Sequence, residues 1–133
     1  MMLHSFVIPV APKSLQFGGK RLCVIGGHAR FFKDKKATAY QDEIRYRVRD
    51  RVPEVPHGGP LCLALTFNLP APKSMKRIGP AVKRPDLDNL IKGTQDALSD
   101  FWEDDSQIVR LFAQKFYAEN QNVSIFVTIS SAE

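Results

Sequence analysis

The sequence predicts an α+β fold: a single domain whose mixed β-sheet carries two helices, in the order β-β-α-β-α-β-β. Three observations predict it. Leu61–Leu69 alternates large and small residues at period two, which is the signature of a strand. Two other stretches repeat apolar residues at helical spacing. The chain has 133 residues, enough for one domain with a real core, here taken as residues 1–133.

In chain order, Leu3–Val10 has the β-branched content of an opening strand, ended by Pro9 and Pro12. Ala11–Arg21 is a basic loop rich in turn residues, and Leu22–Ile25 is a short strand broken by Gly26-Gly27. Residues 35–51 read as a helix with Ala37, Tyr40, Ile44 and Val48 on one apolar stripe. Residues 52–60, with three prolines, end it and return the chain to Leu61–Leu69, expected as the central strand. Residues 70–84 are broken by prolines and carry five basic groups, too polar to pack, and are expected to be mobile without substrate. A second helix over Leu87–Ser99 turns Leu90, Ile91, Thr94, Ala97 and Leu98 to the core and leaves Asp88, Lys92 and Asp96 on the opposite face. Ile108–Ala118 and Val123–Ile129 read as two strands of a hairpin through Glu119-Asn120-Gln121-Asn122.

Charge is divided along the chain. Residues 1–85 hold 16 Lys+Arg against 5 Asp+Glu, and residues 86–133 hold 3 against 9. A basic front and an acidic back suit a polyanion held by one part and a metal held by the other. Charges that merely solvate the surface are the plainer reading. No apolar run is long enough to span a membrane, and Met1–Pro9 lacks the basic and apolar regions of a signal peptide. Cys23 and Cys62 stand alone in apolar runs and read as small buried hydrophobes in a reducing compartment, with a disulfide as the weaker reading. The expected location is cytoplasmic. His4, His28 and His57 have no partner at zinc spacing, no Ser sits in a nucleophile elbow, and the Gly-Gly pairs match no nucleotide fingerprint. No organic cofactor is expected. Phe101-Trp102 reads as a packing anchor rather than a base-stacking pair.

The stretch that organises the chain is Arg84-Pro85-Asp86-Leu87-Asp88-Asn89-Leu90-Ile91-Lys92, followed by Trp102-Glu103-Asp104-Asp105-Ser106-Gln107. Close carboxylates repel and so favour a cation. A hard divalent metal takes a few carboxylates plus water and phosphate oxygens. In an extended segment Asp86 and Asp88 point the same way, and Asp105 can complete the set if the two segments meet at one edge of the sheet. Such an ion activates water and orients a phosphate, and Lys92 would either neutralise charge developing in the transition state or position the water. Each residue also has an ordinary reading: capping for Asp88-Asn89, a surface pair for Lys92, a solvated turn for Glu103-Asp104-Asp105. The ordinary reading is favoured for any one of them; the site reading is favoured for all together, behind a basic loop. Spacing alone does not name the substrate.

These residues resemble the RusA family of Holliday junction resolvases. D-L-D-N-L-x-K, D-A-L and W-x-D-D-x-Q occur here in the family's order, and the likeness is strong over about residues 84–109. The resemblance implies a small homodimeric endonuclease of bacterial, phage or prophage origin. It binds four-way DNA junctions and nicks two strands symmetrically with Mg²⁺, or Mn²⁺ as substitute, in recombination and repair. Asp86, Asp88 and Asp105 become the catalytic, metal-binding carboxylates and Lys92 the essential lysine, with Asp104 secondary. Lys13, Lys20, Arg21, Lys73, Lys76, Arg77, Lys83 and Arg84 become the DNA-binding residues. The family's Pro-Pro-Ser-x-Asn type segment is only partly kept, as Pro12 and Ser14. A two-fold protein matches a two-fold junction, with one site for each opposed strand. Rival readings are a general metal-dependent nuclease of flaps or branched DNA, and a non-catalytic DNA-binding protein with a structural acidic cluster.

Overall fold

The computed structural model describes residues 1–14, 20–25, 28–33, 35–75 and 79–133, the strands at 20–25 and 28–33 by backbone alone. The elements are β1 (Met2–Ile8), β2 (Lys20–Ile25), β3 (His28–Lys33), α1 (Lys35–Val48), β4 (Leu61–Leu69), α2 (Leu87–Ala97), β5 (Ile108–Tyr117) and β6 (Ser124–Ser131). The main sheet is mixed, in the order β1-β6-β4-β5, with β4 and β5 parallel and the other pairs antiparallel. An α+β domain with two helices on a mixed sheet is what the alternation and the helical stripes predict.

Leu61–Leu69 is central, as expected. Leu61, Leu63, Leu65, Phe67 and Leu69 are all buried and alternate with half-buried Cys62, Ala64, Thr66 and Asn68. The register places Phe6, Ile8, Ile125, Val127 and Ile129 on the buried side of the sheet. Tyr40, Ile44 and Val48 of α1 and Leu90 and Ala97 of α2 complete the same core. Gln41 of α1 is fully buried, and its amide donates to the Gly93 carbonyl at 3.1 Å, tying the two helices together. Phe101 and Trp102 are buried anchors. Cys62 differs from expectation: it is a half-exposed, free thiol on the uncovered face of the sheet. No helix among the described residues is long and apolar enough to cross a membrane.

Three further expectations are corrected. First, the chain has a third early strand. Residues 28–33 pair with 20–25 in a separate two-stranded ribbon, with Ile25 opposite His28 and only Gly26-Gly27 between them in sequence. A glycine pair between two short runs is a hairpin signal, but the basic, poorly alternating His28–Lys33 hides it.

Second, β5 and β6 are not a hairpin. β6 lies between β1 and β4, and β5 lies on the far side of β4. The connection carries Asn120 and Gln121 at positive φ and crosses the end of β4, where Ala118 N–H donates to Leu69 O and the Gln121 amide donates to Ala71 O. β4, the most apolar strand, gains a partner on both flanks, and β5 is left at the edge.

Third, the basic loop packs in part. Residues 76–78, with Lys76 and Arg77, lie outside the described residues. Beyond them Ala81 is buried, Ala81 N–H donates to Lys115 O at 3.1 Å, and Tyr117 N–H donates to Gly79 O at 3.0 Å. Pro80 bridges Phe116, so residues 79–81 strap the open edge of β5 at its C-terminal end. Proline at a sheet edge, where no amide is owed to a neighbour, fits.

Candidate active site

Asp86 is the N-cap residue of α2, in extended conformation, and its carboxylate makes no cap hydrogen bond. Asp88 lies in the first turn and Lys92 one turn later. All three are exposed, on the face opposite Leu90, Thr94 and Ala97. The N-cap position thus falls to Asp86 rather than to Asp88-Asn89, and no side chain caps it, while the helix N-terminus favours both anions. A cavity of about 320 Å³ opens beside them, lined by Ser14, Arg84, Pro85, Asp86 and Asn89.

The segment before Asp86 is held from below. The Lys115 ammonium donates to the carbonyls of Lys83 and Pro85, both at 2.7 Å. The Arg84–Pro85 bond is cis. Arg84 and Lys83 are exposed there; Lys73 and Lys13 are exposed as well, the Lys13 ammonium 5.9 Å from the Tyr40 ring. Lys20 and Arg21 belong to β2 by backbone, and their side chains lie outside the described residues.

Asp105 opens a short 3-10 turn over Asp105–Gln107. Its Oδ1 accepts the indole N–H of buried Trp102 at 2.7 Å. Asp104 serves that turn: its carboxylate accepts Ser106 N–H at 2.8 Å, and the Gln107 amide oxygen accepts Asp104 N–H at 2.7 Å. The Ser106 amide, then its hydroxyl, holds the Asp104 carboxyl below the usual carboxylate range. Asp104 therefore has a local structural task. The Gln107 amide also donates to His57 O (2.8 Å) and Gly59 O (2.9 Å). His57 N–H donates to Phe101 O, and His57 O accepts Glu103 N–H. The His57 and His4 rings meet at 2.8 Å between Nε2 atoms, and His4 stands edge-on to Phe101. Sequence reasoning missed this clasp: a lone His and a Gln three residues past an Asp carry little signal until the turn is known.

The structure does not bring Asp105 to Asp86 and Asp88 within one chain. α2 is the crossover between parallel β4 and β5, so it leaves the sheet at one end and returns at the other. Pro85 is held at Lys115, late in β5, whereas Asp105 precedes Ile108, the first residue of β5. Ile108 to Lys115 spans about 23 Å at ~3.3 Å per residue. Among the described residues, no three carboxylate, imidazole or thiol groups converge to hold a metal ion. The expectation that both segments lie at one edge is corrected for the single chain.

An acidic pair at a helix entrance, with basic groups and a cavity alongside, suits the class of proteins that act on a phosphodiester. The family model "Endodeoxyribonuclease RusA" matches residues 16–129. The chain therefore belongs to the RusA family of endodeoxyribonucleases and is a hydrolase acting on DNA. It is 28% identical to "Uncharacterized protein YqaN" of Bacillus subtilis (strain 168), covering 86% of this chain and 89% of that protein. It is 38% identical to "Crossover junction endodeoxyribonuclease rusA" of Lactococcus phage r1t, covering 52% of this chain and 54% of the phage protein.

Proposed function

We propose that this chain, acting over residues 1–133 as one nuclease domain, is a Mg²⁺-dependent homodimer that resolves four-way DNA junctions by paired nicks. The observation that carries this reading is the exposed Asp86/Asp88 pair at the entrance to α2, with Lys92 one turn on and the Asp86 carboxylate unspent on capping. The phage relative, named for crossover junctions, supports the substrate. The cell compartment that suits it is the bacterial cytoplasm, with a phage or prophage gene as source.

The residues fit a hard cation, which takes oxygen ligands and commonly only one or two protein carboxylates. Asp86 and Asp88 would hold it. The partner subunit's Asp105 would complete the set. When bound, Mg²⁺, or Mn²⁺ in its place, supplies Lewis-acid charge at the phosphate and lowers the pKa of water. The Lys92 ammonium opposes negative charge building on the phosphate oxygens. Arg84 and Lys83 seat the flanking phosphates, with Lys13, Lys20, Arg21, Lys73, Lys76 and Arg77 extending the basic surface.

The partner's contribution follows from the edge strand. Along β5, Val109, Leu111 and Phe112 are exposed at 57%, 47% and 60%, apolar surface that an isolated edge strand ordinarily avoids. A two-fold axis beside Leu111 and Phe112 sets two β5 strands antiparallel. The Asp105 end of one then lies against the Asp86 end of the other, and two complete sites form per dimer.

The test is cleavage of a synthetic four-way junction, a flap and a linear duplex in Mg²⁺. Paired junction nicks by wild type, and binding without cutting by Asp88→Asn, support the reading. Equal cutting of the flap replaces it with a general branched-DNA nuclease.

A further inference from the structure

Lys115 stands where a sheet would ordinarily place an apolar side chain. It pairs with Phe67, which is fully buried, and lies on the same side of β5 as Ala113 and buried Tyr117. A long cation at such a position usually lies along apolar surface and carries its charge out to water. Here the ammonium instead turns to two backbone carbonyls, those of Lys83 and Pro85, each at 2.7 Å. A half-buried charge needs such partners, and charge-assisted bonds of this length are among the stronger ones. A lysine has three donors and no acceptor, so it can grip two carbonyls of one turn at once.

The two carbonyls flank Arg84, and the second belongs to the peptide joined to Asp86. The strap before them is tied to the same strand by Ala81 N–H to Lys115 O and Tyr117 N–H to Gly79 O. One residue of β5 thus anchors the loop by its backbone and aims the last turn by its side chain. That turn forms the wall of the cavity that holds Arg84, Pro85 and Asp86.

We propose that Lys115 is a positioning residue of the active site: its ammonium fixes the 83–85 turn and so sets the direction of the Asp86 carboxylate and of Arg84. This rests on the reading of Asp86 and Asp88 as metal ligands. Removing a group that orients a metal ligand lowers metal affinity by about 10- to 100-fold, with little effect on distant surfaces.

The experiment compares wild type, Lys115→Met, Lys115→Arg and Asp88→Asn. Lys115→Met keeps the stem and loses the donors; Lys115→Arg keeps donors. Two quantities are read: the Mg²⁺ concentration for half-maximal junction nicking, and Mn²⁺ affinity by direct titration of the protein–junction complex. Lys115→Met is expected to raise the Mg²⁺ midpoint and weaken Mn²⁺ binding by about tenfold or more, with partial recovery in Lys115→Arg. A merely structural lysine would lower the melting temperature and leave both metal quantities at the wild-type value, which overturns the proposal. If Lys115→Met fails to fold, Lys115→Gln is read by the same criteria. If Asp88→Asn binds Mn²⁺ as wild type does, the metal-ligand reading itself fails; if Asp88→Asn loses the metal and Lys115→Met does not, only the role of Lys115 fails.

Discussion

The indole N–H of Trp102 donates to Oδ1 of Asp105 at 2.7 Å, and Trp102 is itself only 2% exposed. A rigid, buried ring therefore dictates where an exposed carboxylate points. Trp102→Phe keeps most of the packing and removes the donor. A hydrogen bond to a charged group contributes roughly 1.5–3 kcal/mol. Because the bond here also aims a carboxylate, junction cleavage by the folded variant is expected to fall by about tenfold or more. Single-turnover cleavage rates, taken well below the midpoint of each protein's thermal melt, check this; wild-type cleavage by folded Trp102→Phe contradicts it.

Gln107 joins its own turn to the 57–59 loop. Its amide donates to His57 O and Gly59 O and its oxygen accepts Asp104 N–H. Gln107→Ala leaves three backbone groups short of a partner, each exposed enough to be met by water in part. The expected cost is roughly 1–3 kcal/mol, read in denaturant unfolding, together with slower cleavage because Asp105 shares the turn. Unchanged unfolding and cleavage would remove the clasp from the account.

The His4–His57 contact gives stability a pH dependence. Burial, then the facing His57 ring and the Arg51 guanidinium, hold the His4 pKa below its ordinary value. Folding therefore disfavours charged His4. Its contribution is whole above the ordinary histidine pKa of about 6.5 and is lost as pH falls through the depressed folded value. Melting temperature should drop on acidification below about pH 6.5, and His4→Gln should flatten that drop. The same slope in both proteins would contradict the assignment.

Much of this could be read from residues alone. Period-two burial in Leu61–Leu69 and the α2 stripe are local patterns, and local patterns survive into the fold. The Asp86–Lys92 arrangement was legible for the same reason: one strand-to-helix junction holds it all. Strand pairing was not legible, because nothing in Ile108–Tyr117 records that its partner is β4 rather than β6. The same topological fact decided the site. Asp105 follows Asp88 closely along the chain, yet a crossover helix carries the two to opposite ends of the sheet. Lys115 was invisible as a site residue, since its role depends on a loop that reaches it across the sheet edge.

Arg84 is exposed at the cavity beside Asp86. Arg84→Ala should weaken junction binding alike across sequences and reduce the salt slope of log affinity by about one. Binding isotherms at several salt concentrations measure it. An unchanged slope would place Arg84 off the phosphate path.

The central claim is that Asp86 and Asp88 of one subunit work with the partner's Asp105. The most direct measurement mixes two inactive proteins, Asp88→Asn and Asp105→Asn, after co-refolding, with a four-way junction in Mg²⁺. A site shared across the two-fold gives each mixed dimer one fully native site, so single-strand nicking returns while neither parent cuts. If every site uses the carboxylates of one chain alone, each site in the mixed dimer carries a substitution. Nicking then stays absent, and that result would contradict the account.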